Sequence, residues 1–110
     1  MDKNHALDAF AALSQSTRLD VFRLLITAGE AGMSAGDIGD ALGVRQNTMS
    51  ANLAILARSG LIRSTREGRS IRYFADMDGM RGLLAFLMED CCGGRPELCQ
   101  PVINELACAC

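Results

Sequence analysis

Tryptophan is absent from this 110-residue chain, tyrosine occurs once and proline only twice. With almost half of the residues apolar, so little proline points to a compact, mainly helical globule. Long apolar runs are missing too: none approaches the ~18 residues that a bilayer span requires, so no membrane partner is expected. The opening Met1-Asp2-Lys3-Asn4-His5 lacks the basic and apolar regions of a secretion signal. A cytoplasmic location is the expectation, where thiols are kept reduced. At this length the chain is one domain near the small end of independent stability, where oligomerisation often supplies missing core.

Two absences are regional. Cysteine does not occur in the first ninety residues, yet five cysteines crowd the last twenty: Cys91, Cys92, Cys99, Cys108 and Cys110. Structural cysteines would be scattered through a core, so this clustering marks a site. Five is also an odd number, which argues against a closed disulfide framework. Lysine occurs once, at Lys3, so every other basic side chain is arginine, the residue suited to bidentate contact with phosphates and guanine edges. Histidine also occurs once; His5, alone near a terminus, reads as a solvated side chain.

The net charge of −2 looks wrong for a nucleic-acid binder, but its distribution points the other way. Residues 41–75 hold six arginines (Arg45, Arg58, Arg63, Arg66, Arg69, Arg72) against one acid, Glu67. That is a local excess of five positive charges, with seven net negative charges on the remainder. Phosphate responds to the local patch and not to the total.

Periodicity supplies the elements. Residues 2–13 carry Leu7, Phe10 and Leu13 among alanines, a short amphipathic helix. Ser14 or Ser16 caps a second helix with a broad apolar stripe (Leu19, Phe22, Leu24, Leu25, Ile26), ended by Gly29. Ser34 followed by Asp37 resembles a capping box with a shorter acid, and opens a third helix that Gly43 stops. After a short turn, 46–59 forms a fourth helix in which Met49, Leu53 and Leu56 face inward at i, i+4, i+7. Its other faces hold Gln46, Asn47, Thr48, Ser50, Ala51, Asn52 and Arg58, where an ordinary surface helix would favour Glu and Lys. The period then changes to two strands, 61–66 and 69–74, around a Gly-containing turn: a β-hairpin with arginines at its tip. A last helix over 77–90 is too hydrophobic to have a fully wet side.

Two short helices joined at a glycine, the second one polar, make a helix-turn-helix, and the basic hairpin makes a wing. A helix fits the major groove, amides and hydroxyls meet base edges, and a basic hairpin reaches neighbouring phosphates or the minor groove. The DNA-binding candidates are therefore Arg45, Gln46, Asn47, Thr48, Ser50, Ala51, Asn52, Arg58, Arg66, Arg69 and Arg72.

Four stretches carry a family resemblance: Asp8-Ala9-Phe10-Ala11-Ala12-Leu13-Ser14-Gln15-Ser16-Thr17-Arg18-Leu19, Gln46-Asn47-Thr48-Met49-Ser50-Ala51-Asn52-Leu53, Leu56-Ala57-Arg58-Ser59-Gly60-Leu61-Ile62 and Arg66-Glu67-Gly68-Arg69. Over residues 8–90 the chain resembles the ArsR/SmtB metal-responsive repressors. The resemblance implies a homodimeric winged helix-turn-helix, mainly α with a β-hairpin, whose first and last long helices form the dimer interface. It further implies an apo dimer that sits on double-stranded operator DNA near its own promoter and leaves when an inducer binds. Two departures stand out. Many members carry histidine where Asn52 stands, and asparagine also bonds a base edge. One arsenic-sensing branch carries a cysteine pair on the helix before the recognition helix, but Asp37-Ile38-Gly39-Asp40-Ala41-Leu42 has no thiol. Other branches use Asp, His and Glu on the last helix, and here the sole histidine is His5.

Sensing then falls to the C-terminal cysteines. Neighbours on a regular helix point ~100° apart, so Cys91 and Cys92 share an ion only if the helix ends there, and Gly93 and Gly94 end it. Pro96 helps turn the chain and Cys99 follows Cys92 by seven residues, within loop-closing reach. Three thiolates suit a soft, three-coordinate guest such as trivalent arsenic or antimony, whereas zinc prefers a closed tetrahedral set. Some arsenic-sensing members place a similar pair and third cysteine at the end of the last helix. The expected inducer ligands are thus Cys91, Cys92 and Cys99, with Cys108 and Cys110 as auxiliary candidates and no organic cofactor. The chain divides into a winged helix-turn-helix DNA-binding and dimerisation domain, 1–90, and a cysteine-rich inducer-binding tail, 91–110.

Two alternatives remain within the same fold: a repressor responsive to zinc, cadmium or lead, and one released when its thiols oxidise to a disulfide. A thiol enzyme or metal carrier is disfavoured. No histidine or glutamate pairs with the cysteines as a base, and the basic wing would be unexplained.

Overall fold

The computed structural model describes residues 1–88, 100–102 and 104–105. The five cysteines, and residues 89–90 of the expected last helix, lie outside the described residues. Within residues 1–88, five helices and a small sheet follow in the order α1 (Lys3–Leu13), α2 (Ser16–Ala28), a 3-10 turn (Gly29–Ala31), β1 (Met33–Ser34), α3 (Ala35–Leu42), α4 (Gln46–Arg58), β2 (Ile62–Glu67), β3 (Ser70–Ala75) and α5 (Met77–Met88). This is the mainly helical, hairpin-bearing fold expected from the sequence. The described residues of 100–105 are also helical.

Local chemistry explains the boundaries. Asp2 caps α1 by accepting from the His5 amide (2.8 Å). The α2 cap is Gln15, not Ser14 or Ser16: its side-chain oxygen accepts from the Arg18 amide (2.8 Å). The Ser34 hydroxyl accepts from the Asp37 amide (3.1 Å) and opens α3 as expected. Gly43 closes α3 in the left-handed region, φ 67°, which favours glycine because it has no Cβ. Asp76 caps α5 by accepting from the Asp78 and Gly79 amides (3.1 Å each).

The sheet has three strands, not two. β1 pairs antiparallel with β3 through Met33↔Tyr73 and Ser34↔Arg72, giving the order β1-β3-β2. The hairpin runs from Ile62↔Ala75 to Glu67↔Ser70. Its two-residue loop starts at Gly68 with φ 63°, the positive φ that the tight primed hairpin turns require at this position. Close approach of β1 to β3 depends on Gly32, where a Cβ would come within 2.7 Å of the Tyr73 carbonyl and 2.6 Å of the Phe74 ring.

The core joins Val21, Phe22 and Leu25 of α2, Ile38 of α3, Met49, Leu53 and Leu56 of α4, Leu61, Ile62 and Leu83. α1 meets that core differently from its amphipathic reading. It buries Ala6, Ala9 and Ala12 and leaves Leu7 and Phe10 exposed, at 54% and 39%. α5, which packs beside α1, buries only Leu83 and exposes Met77, Leu84 and Leu87. Leu7 and Phe10 of α1 and Met77, Leu84 and Leu87 of α5 thus face outward, while Leu13, Met80 and Phe86 pack against the core.

Candidate nucleic-acid interface

The helix-turn-helix is built from α3 and α4. Its turn is tight because Gly39 has no side chain: a Cβ there would run into Gln46 Nε2 and lie 2.9 Å from the Val44 carbonyl. Gln46 Nε2 instead donates to the Ala35 carbonyl (3.2 Å), locking the start of α4 against the start of α3. Arg45 holds the N-cap position with extended backbone and makes no side-chain cap. The first turn of α4 contains no acid, so the positive end of the helix dipole is available to a phosphate.

Along α4, Met49, Leu53 and Leu56 are buried, while Gln46, Asn47, Thr48, Ser50, Ala51 and Ala54 are exposed. Asn47 Oδ1 accepts from the Thr48 amide (2.9 Å), which orients the first turn. The structure corrects the reading of Asn52. Only 7% of it is exposed, and its Oδ1 accepts from Arg18 Nη1 (3.2 Å). Residues 49, 52, 53 and 56 follow i, i+3, i+4, i+7, so Asn52 shares the inward face. Its amide character had suggested a base contact. Arg58 is exposed, but it lies in the last turn, about 18 Å along the axis from the α4 start at 1.5 Å per residue. There it borders a cleft with Asp8, Arg18 and Ser59.

The wing presents Arg66 and Arg69, both exposed, on either side of the Gly68 turn. Among the described residues, none of Arg45, Arg58, Arg66 and Arg69 enters an ion pair. Arg72 does, so its placement differs from the sequence expectation. Its Nε sits 3.4 Å from Glu67 Oε2, and its Nη1 donates to the carbonyls of Ala31 (3.0 Å) and Gly32 (3.1 Å). This guanidinium fastens the wing to the segment before β1. Arg63 is likewise engaged within the subunit, 4.5 Å above the Phe74 ring, a cation–π contact. The positive patch is therefore narrower than its arginine count.

Three positions escaped the sequence reading. Arg18 donates from Nε to the Ala12 carbonyl (2.7 Å) and from Nη1 to Asn52, joining α1, α2 and α4. His5 is exposed, as expected, but its Nε2 lies 3.2 Å from the Ser59 carbonyl, a pairing that needs the proton on Nε2. Gly79 lets α5 touch the end of α4, since a Cβ there would overlap the Gly60 carbonyl. Only the motif around Arg18 was visible beforehand; the contacts join residues up to 54 positions apart.

A helix-turn-helix domain model matches residues 13–65. No curated protein sequence gives a significant match. Among solved structures, an ArsR-like transcriptional regulator from Rhodococcus sp. RHA1 is similar over 94% of this chain and 93% of its own, with 28% identity and a TM-score of 0.71. The fold and these similarities are those of ArsR-type winged helix-turn-helix transcriptional regulators. A second ArsR-type similarity is to the homodimeric winged helix-turn-helix DNA-binding domain of a possible ArsR-family regulator from Mycobacterium bovis. It has 27% identity, covers 77% of each chain and has a TM-score of 0.65. The transcriptional repressor BigR from Xylella fastidiosa shares 25% identity over 74% of this chain and 82% of its own, TM-score 0.60. The cysteine ligands expected from the sequence fall outside the described residues. Among the described residues, no three His, Cys, Asp or Glu side chains are grouped to hold a metal ion, and no helix is long and apolar enough to cross a membrane.

Proposed function

We propose that this ArsR-type regulator is a cytoplasmic, homodimeric repressor, released from double-stranded operator DNA when trivalent arsenic or antimony binds Cys91, Cys92 and Cys99. The observation that carries the DNA-binding half is the coincidence of an acid-free, polar outer face on α4 with the exposed arginines Arg66 and Arg69 at the wing tip. Arg45, Gln46, Asn47, Thr48, Ser50 and Ala51 supply the major-groove contacts, and Arg66 and Arg69 the backbone or minor-groove contacts. Repression is favoured by the similarity to BigR, itself a transcriptional repressor. Dimerisation through α1 and α5 is favoured by their outward Leu7, Phe10, Leu84 and Leu87, and by the homodimeric Mycobacterium bovis domain.

The inducer half rests on the placement of the thiols. All five follow α5, the helix assigned to the interface, and three of them form the Cys91, Cys92 and Cys99 set. Thiolate coordination at the end of a dimer helix favours a dimer whose recognition helices no longer match half-sites ~34 Å apart. Going from mostly bound to mostly released needs roughly 5.5 kcal/mol of differential affinity. The test is an operator-release titration with arsenite, antimonite, zinc, cadmium and lead under reducing conditions. Replacing Cys91, Cys92 or Cys99 with serine should leave operator binding intact and abolish release by arsenite. Release that persists in the Cys99→Ser variant removes that residue from the site. Release by oxidant, reversed by reductant and indifferent to arsenite, assigns the tail to redox sensing instead.

A further inference from the structure

We infer that Arg18 is a positioning residue for operator recognition, and that Asn52 is the anchor by which it holds the recognition helix instead of a reader of DNA. The inference rests on the operator-binding reading above. The Arg18 guanidinium sits where three helices meet. Its Nε donates to the Ala12 carbonyl at 2.7 Å and its Nη1 to Asn52 Oδ1 at 3.2 Å, while its own amide is held by the Gln15 cap at 2.8 Å. Ala12 is in the last turn of α1, whose final carbonyls have no partner within their own helix and attract a cation. Asn52 lies midway along α4, with its outward neighbours Ser50 and Ala51 less than one turn away. A rotation of α4 about its axis moves Asn52 and these neighbours together, so the strut fixes which side chains point outward.

A second contact makes the hold two-point. His5, two turns before Ala12 on α1, pairs with the Ser59 carbonyl just past the end of α4. α1 therefore grips α4 near its middle through Arg18 and at its end through His5. The guanidinium is planar and carries its donors in a fixed fork, so it spans Ala12 and Asn52 with little freedom. Removing the Asn52 acceptor leaves a half-buried charged donor without its partner, which is costlier than losing a neutral bond.

The experiment uses the full-length dimer and a fluorescent duplex selected by the wild-type protein from a random library, with thermal unfolding measured in parallel. Asn52→Asp keeps an acceptor for Arg18 but loses the amide donor that an adenine contact needs. It should bind within about 3-fold of wild type and prefer the same sequence. Asn52→Leu has no acceptor and should bind about 10-fold more weakly, the effect of one lost hydrogen bond. In the Arg18→Ala background, Asn52→Leu should cause little further loss, because the two residues act as one unit. Three results overturn the inference. One is an Asn52→Asp protein that loses 10-fold or changes its preferred base at a single position. Another is an Asn52→Leu protein with lowered thermal stability but unchanged affinity. The last is additive losses from Arg18→Ala and Asn52→Leu. Failure of the wild-type protein to select any duplex would instead overturn the operator-binding reading itself.

Discussion

α4 and α5 are nearly equal in length, 13 and 12 residues, yet they dispose of their apolar side chains in opposite ways. α4 buries Met49, Leu53 and Leu56 within its own subunit and turns small polar groups outward. α5 buries Leu83 alone and turns Leu84 and Leu87 outward, the latter 52% exposed. One helix is finished by its own fold and offers hydrogen-bonding groups to something polar. The other is unfinished and offers hydrocarbon. Exposed large apolar residues that cluster on adjacent helices mark an interaction surface, whereas single ones mean little, and Leu7 and Phe10 of α1 join the same set.

The contrast can be broken most severely by charging the unfinished helix. Leu84→Glu with Leu87→Glu should leave the helical content unchanged and give a monomer in sedimentation analysis, where the wild type sediments as the proposed dimer. Operator affinity should fall on the order of 1,000-fold, since the two half-sites would no longer be bound by linked modules. A variant that stays dimeric would move the interface off α5.

The joint between the two helices comes next. Gly79→Ala places a Cβ against the Gly60 carbonyl, where backbone faces backbone and no side chain can move aside. It should destabilise the fold by about 3 kcal/mol, lowering the melting temperature by roughly 15 °C in calorimetry. The smallest effect tests the finished helix: Ser50→Ala, on the exposed face of α4, should leave stability within about 0.5 kcal/mol. Its operator affinity should fall about 5-fold, close to 1 kcal/mol. An equal loss of stability and affinity would mean that this face is structural.

Local signals were legible where a short stretch of sequence decides the outcome. The Ser34 cap, the Gly43 stop and the Gly68 turn all depend on neighbours within a few residues, and each stands where expected. Elements fixed by distant partners were not legible. β1 is two residues long, too short for any period, and exists because Gly32 allows β3 to approach. Arg63 and Arg72 both count toward the basic patch by composition, and Arg72 toward the DNA contacts, but Phe74 and the carbonyls of Ala31 and Gly32 claim them. Asn52 shows a conflict between two signals. Its spacing pointed inward and its chemistry outward, and Arg18 decided between them.

The alanine seam of α1 has a mechanical consequence. Ala6, Ala9 and Ala12 meet the core with methyl groups, which have no rotamers to change. A longer side chain can absorb a small shift of its helix by rotating; a methyl group cannot. Movement imposed on the outer Leu7 and Phe10 therefore meets no compliant layer before it reaches α4. In this subunit α1 is a push-rod rather than a cushion.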